Sequence, residues 1–471
     1  MRGASLRIFG SGVINTALGF AAIVYFSREL GAAQMGMFFL FEAVTGFLRI
    51  PADFGLRGAV EKRISEVDDG RSILTTALAI KTVPILGASA LVLFFSDQIN
   101  GYVGTDVALF VVGMVVLSEL AELERHVLLG EHRGGHTATL EIVRQSGWIG
   151  TGVPLVLAGY GVEALIYGRF VGTAGMLVTG RYLSSTGYGA PSLDWAYSLV
   201  DYAKYNIFSN VQGYFYSWVD VAIIGLFLTQ AEVGAYETAW KITEATIILS
   251  NAVALVLLPE ISSLHAKGKI RQIEDAVTRA LSSGLILVIP AFVGSIFVAR
   301  PLLTYVFGEE FGIAWLVLIV LMGEKIFQAM YRIFKRTLLG LDRPNLVTRA
   351  AVFTLVLNLI LNYSLVQVAG INGVAVATAV SFLTGTLLTG VYLSRYIDVG
   401  LPLREFGWFA VSAVLMGVVL GGLQTVAPVR SAAMLVLYIA ISALVYVCSI
   451  ASNRTLRRRI FGAVSGALGV G

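Results

Sequence analysis

Fourteen mostly apolar runs of about 18 residues or more, separated by polar breaks, set the pattern of this chain. A run of that length crosses a bilayer as a helix, because ~20 residues rising 1.5 Å each match a hydrocarbon core of ~30 Å. The predicted spans are 8–26, 36–56, 73–95, 106–124, 145–160, 162–181 and 206–228. They continue with 236–258, 280–299, 313–332, 346–368, 372–393, 406–424 and 431–450. The fold class expected is all-α, a polytopic membrane protein. Arg2 and Arg7 precede the first run, no small-residue cleavage site follows it, and it is read as an uncleaved helix.

The pattern is used twice. Leu30–Phe38 reads LGAAQMGMF and Leu228–Tyr236 reads LTQAEVGAY, 198 positions later. LLGEHR (128–133) meets LLGLDR (338–343) at an offset of 210, and Gly161-Val162 meets Gly373-Val374 at 212. Matches in constant order with slowly drifting offsets are what two repeats with small insertions produce. The expected organisation is an N-terminal lobe over 1–192 holding six helices, and an interfacial linker with a second six-helix lobe over 193–394. Residues 395–471 then carry two further helices and a basic tail. The linker begins in the Ser/Gly/Pro-rich stretch 184–192, and 193–205, with Trp195, Tyr197 and Tyr202, is amphipathic enough for a membrane surface. Pro84 and Pro290 occupy similar places in the third and ninth spans, where a missing N–H kinks a helix.

Composition removes the soluble alternatives: 56% of the 471 residues are hydrophobic, 14% are charged, and mean hydropathy is +0.79. Charge sets the orientation. The termini, the even-numbered loops and the span ends beside them hold 26 Lys and Arg, whereas the odd-numbered loops hold only Arg28, Arg300 and Arg430. The positive-inside rule then puts both termini on the cytoplasmic side of the cell membrane. The net charge of +4 and the Arg454, Arg457, Arg458, Arg459 cluster suit anionic headgroups and call for no nucleic acid.

Ionisable side chains inside spans are the candidate functional groups, because a lipid-facing charge at mid-bilayer costs about 3 kcal/mol on insertion scales. The basic ones are Arg49, Lys81, Arg169, Lys241 and Lys325. Glu42, Arg49 and Asp53 share one face of the second span, and Glu237, Lys241 and Glu244 share one face of its repeat partner, the eighth. Structural ion pairs or snorkelling to the interface are the competing reading, and the stronger one for Lys81, Lys325 and Arg169 near span ends. Glu119 and Glu122 stand on the fourth span as gate or packing partners. A second, nearly neutral set comprises Asp220, Asn358, Asn362, Val374 through its carbonyl, and Thr378, a shell suited to a hard monovalent cation or to interhelical hydrogen bonding.

Other chemistries lack their residues. No G-x-x-x-x-G-K-[ST] loop is present, so no ATP hydrolysis is expected. His126, His132 and His136 lack the ligand company of a metal site, and Cys448, the single cysteine, excludes an intrachain disulfide. The external loops are too short to carry the catalytic groups of a membrane glycan polymerase or ligase, so no enzyme is expected.

Three blocks carry a family likeness: Ser27–Glu66 (SRELGAAQMGMFFLFEAVTGFLRIPADFGLRGAVEKRISE), Val219–Ile242 (VDVAIIGLFLTQAEVGAYETAWKI) and Gly370–Gly385 (GINGVAVATAVSFLTG). In combination they resemble the polysaccharide flippases of the multidrug/oligosaccharidyl-lipid/polysaccharide exporter superfamily, which also contains the lipid II flippases. The resemblance implies two lobes alternating in access around a cavity, moving an isoprenoid-diphosphate-linked oligosaccharide to the outer face. By position it implies Arg28, Arg49 and Lys241 as diphosphate ligands, with Lys81 and Lys325 as further cavity cations, and the acids Glu42, Asp53, Glu237 and Glu244 orienting them. It also implies a sodium site at Asp220, Asn358, Asn362, Val374 and Thr378; an amide at 362 in place of an acid leaves the coupling ion, sodium or a proton, open. No other cofactor is expected, and the expected partners are membrane lipids and the lipid-linked glycan, with a monomer as the transport unit. The alternative is a multidrug or organic-cation exporter of the same superfamily, which the neighbouring acids keep open.

Overall fold

The computed structural model describes the backbone of residues 2–453, and their side chains except at 2–16 and 205–214. The basic cluster at 454–459 lies outside the described residues. Among these residues the chain is all-helical, and it divides into two compact units, Met1–Glu237 and Thr238–Gly471.

The first unit contains α1 (Arg2–Asp53), α2 (Leu56–Ile64), α3 (Arg71–Phe94), α4 (Ser96–Val103), α5 (Ala108–Gly130), α6 (Thr137–Leu157), α7 (Val162–Leu183) and α8 (Leu193–Phe227), and ends inside α9 (Gln230–Glu244). The second holds the rest of α9 and then α10 (Ile248–Ala266), α11 (Ile270–Leu285), α12 (Val288–Leu302), α13 (Trp315–Gly340), α14 (Pro344–Leu393), α15 (Leu403–Val426) and α16 (Ala432–Ser452).

Eight helices among the described residues are long and apolar enough to cross a membrane, or nine if the bent pair α4 and α5 is one span. Fourteen separate spans are therefore not recovered as such. Two of the long helices account for part of the difference. α1 has 52 residues and α14 has 50, and each is interrupted by non-helical backbone, at Gly31 (φ 77, ψ 176) and at Gly370 (φ 57, ψ −139). At 1.5 Å per residue each has length for two crossings. Glycine is required at these breaks because positive φ costs a Cβ-bearing residue. The two matched prolines act differently. Pro84 lies within a continuous α3, whereas Pro290 follows a two-residue lapse in helix hydrogen bonding at 286–287, where the backbone keeps helical angles between α11 and α12.

Helix packing in the first unit relies on close backbone approach. A Cβ on Gly172 would lie 2.2 Å from the Arg144 carbonyl oxygen, and one on Gly168 would lie 2.6 Å from that of Trp148, so α6 and α7 touch through glycine. The lead-in to the seventh span is one helix with it, since α8 runs unbroken from Leu193. Its Trp195 and Tyr202 pack on Leu56, Val60, Leu123 and Val127. In the second unit, α10, α11 and α13 share a core of Leu257, Ile261, Val277, Leu281, Ile333 and Leu338, while α15 and α16 pack on α12 around Val298, Leu420 and Tyr438.

The repeated motif makes a contact with itself. Gly36 and Gly234 hold matching positions in the two copies, as do Ala32 and Gln230. A Cβ on Gly36 would meet the Gln230 carbonyl oxygen at 1.7 Å, and one on Gly234 would meet that of Ala32 at 2.0 Å. Each glycine thus faces the partner motif's other position, the reciprocity that a local two-fold axis demands. Gly36→Val is expected to abolish the folded, monodisperse fraction in size-exclusion chromatography, because a carbonyl cannot yield to a side chain at that distance. Gly87→Val, in α3 with no atom within 4 Å of the added Cβ, is expected to leave it unchanged.

Candidate functional site

The first unit holds a ladder of buried opposite charges. α1 ends at Asp53 because Phe54 (φ 47) and Gly55 (φ 79) adopt left-handed backbone, and α2 restarts with Arg57 one turn later. The Asp53 carboxylate therefore accepts from both the Arg57 backbone N–H (3.3 Å) and Nε (2.9 Å). Lys81 of α3 bridges Asp53 Oδ1 at 2.9 Å and Glu119 Oε2 of α5 at 2.5 Å. The other Glu119 oxygen accepts from Arg49 Nε at 3.1 Å. Glu122, one turn along α5, accepts from Arg125 Nε at 2.8 Å and lies 3.8 Å from Arg49 and 3.9 Å from Arg57. Four cations thus alternate with three carboxylates, and Asp53, Lys81 and Glu119 are each at most 1% exposed.

Beside the ladder is a partly open recess. Three guanidinium groups line it, Arg49 of α1, Arg144 of α6 and Arg169 of α7, against two carboxylates, Glu42 and Glu122, with Trp218 of α8 adding an aromatic surface. Arg169 is fixed by an ion pair to Glu42 (3.1 Å) and by the Trp148 ring, whose centroid is 4.6 Å away. Arg144 pairs with Glu141 on its own helix at 2.6 Å. Arg49 and Glu122 belong to both ladder and recess, so they couple the structural charges to the accessible ones.

In the second unit Lys325 of α13 is fully buried. It lies 2.9 Å from Glu244, 3.2 Å from Glu324 and 3.8 Å from the centre of the Trp240 ring. Nearby, Arg332 donates to Asn251 of α10 and lies 3.4 Å from Gln328 Oε1.

The residues singled out from sequence are therefore distributed as follows. Glu42 and Arg49 share the recess, but each of their acids and bases pairs with another helix rather than along α1: Glu42 with Arg169, Arg49 with Glu119, Asp53 with Lys81. Lys81 and Lys325 are enclosed by carboxylates, 1% and 0% exposed, and Lys81 is not among the residues lining the recess. Their geometry is that of structural ion pairs. Lys241 is half-buried in α9 with Glu244 one turn on, and Glu237, 2% exposed, closes the first unit. Arg28 is exposed, three residues before the Gly31 break.

The polar set of α14 gathers across the Gly370 break. Asn362 Nδ2 donates to Asn358 Oδ1 at 3.1 Å, and Asn358 Nδ2 lies 3.4 Å from Thr378 Oγ1, with Val374 fully buried one turn before Thr378. Asp220 belongs to the first unit, where it accepts from Tyr236 Oη at 2.8 Å. Sequence reasoning missed Arg57, Arg144 and Arg332. The first two carried a signal, an acid four or three residues before each, at Asp53 and Glu141.

Two family sequence models match the chain. One, described as polysaccharide biosynthesis protein, covers residues 26–315, and the other, described as lipid II flippase MurJ, covers 202–446. Two proteins of Haloferax volcanii are similar over nearly their whole length. The probable low-salt glycan biosynthesis flippase Agl15 is 45% identical with 94% of each chain covered. The probable flippase AglR is 31% identical with 99% of each covered. Among solved structures the chain is similar to a lipid II flippase MurJ in an inward closed conformation, with TM-score 0.81 at 17% identity, covering 96% of this chain and 99% of that one. At that identity the likeness is one of fold.

Removing one partner of a buried ion network strands the charges that remain. Lys81→Met is expected to destabilise the protein by about 3–5 kcal/mol. Lys204→Met, which breaks an exposed pair with Asp201, is expected to cost under about 1 kcal/mol. Thermal unfolding in detergent compares the two.

Proposed function

The chain belongs to the polysaccharide biosynthesis protein family of membrane flippases, and from that premise we propose that it carries an isoprenoid-diphosphate-linked oligosaccharide from the cytoplasmic to the outer face of the cell membrane by alternating access. It is a transporter and not an enzyme: the cargo crosses without bonds being made or broken. The observation that carries the choice of cargo is the recess, which Arg49, Arg144 and Arg169 line together with Glu42 and Glu122. A diphosphate is a concentrated anion with oxygens spaced for the guanidinium fork, and a partly dehydrated site strengthens that attraction well beyond its value in water.

In this reading Arg49 is the principal diphosphate ligand of the first unit, and Lys241, on the matching helix of the repeat, its counterpart in the second. Arg28 is the outermost cation of the same kind. Lys81 and Lys325 act through others: by holding Glu119 and Glu244 they set how much negative charge faces Arg49 and Lys241. Glu42, Asp53 and Glu237 hold their neighbours in place when no cargo is bound. For a coupling ion we place sodium at the amide and hydroxyl oxygens of Asn358, Asn362 and Thr378 with the Val374 carbonyl. The termini face the cytoplasm, and a single chain is the transport unit.

The multidrug-exporter alternative is less supported. An organic cation wants an acidic or aromatic cavity, and the recess carries one more guanidinium than carboxylate.

Cells lacking the protein are expected to accumulate a defined lipid-linked glycan on the cytoplasmic membrane face, read by mass spectrometry with a membrane-impermeant probe of sidedness. Arg49→Gln is expected to reproduce most of that block. An unchanged pool and sidedness in the deletion strain, together with altered resistance to cationic dyes, would overturn the proposal in favour of drug export.

A further inference from the structure

The repeat places the same stretch of helix in both units, and the two copies differ in charge. LLGEHR closes α5 and LLGLDR closes α13, so Glu122, Arg125 and His126 of α5 hold the positions of Arg332, Lys335 and Arg336 of α13. In the first unit all three are compensated. Glu122 takes Arg125 at 2.8 Å, and His126 Nδ1 lies 2.8 Å from Glu61 Oε2. In the second unit three cations stand in their place. Among the described residues none of these three makes an ion pair. The two acids nearest in sequence and fold, Glu244 and Glu324, both engage Lys325.

Three features make this a built arrangement rather than a solvated end. Arg332, Lys335 and Arg336 are spaced i, i+3, i+4, so they share one face, and all three are half-buried. The opposite face, Ile333, Phe334 and Leu338, is locked in the core with α10 and α11, which fixes the rotation of the helix. Arg332 also lies eight residues before the helix end, roughly 12 Å along it. It is held by two neutral acceptors, Asn251 and Gln328, which orient the guanidinium without cancelling its charge and leave donors of its fork unused.

We propose that Arg332, Lys335 and Arg336 form an anion-receiving site for phosphate carried on a lipid. Arg332 supplies the forked, directional contact, and Lys335 and Arg336 supply charge towards the helix end, where a lipid headgroup enters. Identifying the ligand as the diphosphate of the cargo rests on the flippase reading; the site itself rests on the uncompensated charge. The two sources of lipid phosphate, the isoprenoid diphosphate and an anionic phospholipid, separate experimentally.

The full-length protein in phosphatidylcholine nanodiscs is titrated with a bare polyprenyl diphosphate and, separately, with phosphatidylglycerol, binding being read by native mass spectrometry. The variant Arg332→Gln/Arg336→Gln is expected to weaken polyprenyl diphosphate binding about tenfold or more, with Arg332→Lys intermediate because it keeps charge and loses the fork. A matching loss of phosphatidylglycerol binding with no loss for the diphosphate supports the site and assigns it to phospholipid. Unchanged binding of both ligands in a folded variant overturns it. If the variant does not fold, a photoactivatable polyprenyl diphosphate on the unmodified protein decides: crosslinks at 332–336 support the site, and crosslinks confined elsewhere overturn it. A failure here leaves cargo sidedness in cells unaffected, so it is distinguishable from a failure of the flippase reading.

Discussion

Charge buried in a bilayer must be matched, and in this chain the match is made at Lys81. Its ammonium joins Asp53 at the end of α1 to Glu119 in the middle of α5, and through Glu119 it reaches Arg49. Three helices are pinned by one side chain. Their positions in turn set the floor of the recess, because Arg49 both holds Glu119 and lines the open space. The carboxylate partners of Arg49 are themselves shared with Lys81, Arg57 and Arg125, so those acids have other cations beside them.

A second constraint is backbone approach. Within the first unit the two copies of the repeated motif touch through Gly36 and Gly234, and α6 meets α7 through Gly168 and Gly172. Contacts of this kind have no side chain that could adjust, so they define positions sharply and are lost as a unit when a Cβ is added. The bends at Gly31 and Gly370 belong with them: each turns one long helix into two arms, and the second brings Asn358 and Asn362 into register with Thr378.

The membrane class and the identity of the charged spans could be read from the sequence, because apolar run length and a charge in an apolar run are one-dimensional signals. The partners could not. Arg49 and Glu119 are 70 residues apart, and Lys81 stands 28 and 38 residues from its two acids, so the spacing on a single helix suggested pairings along α1 that the packing replaced. Arg169 was legible as a charge inside a span and Arg144 by the acid three residues before it, but neither signal says that the two share a recess with Arg49.

The central claim is that this protein itself moves a diphosphate-linked glycan across a bilayer, and reconstitution tests it most directly. The purified chain is placed in liposomes carrying a fluorescent polyprenyl-diphosphate oligosaccharide, and the fraction accessible to an external quencher is followed over time. The account predicts that the inner-leaflet pool becomes accessible only in liposomes containing the protein, and much more slowly with the Arg49→Gln form. Equal accessibility with and without the protein, under each ion gradient tried, would contradict it.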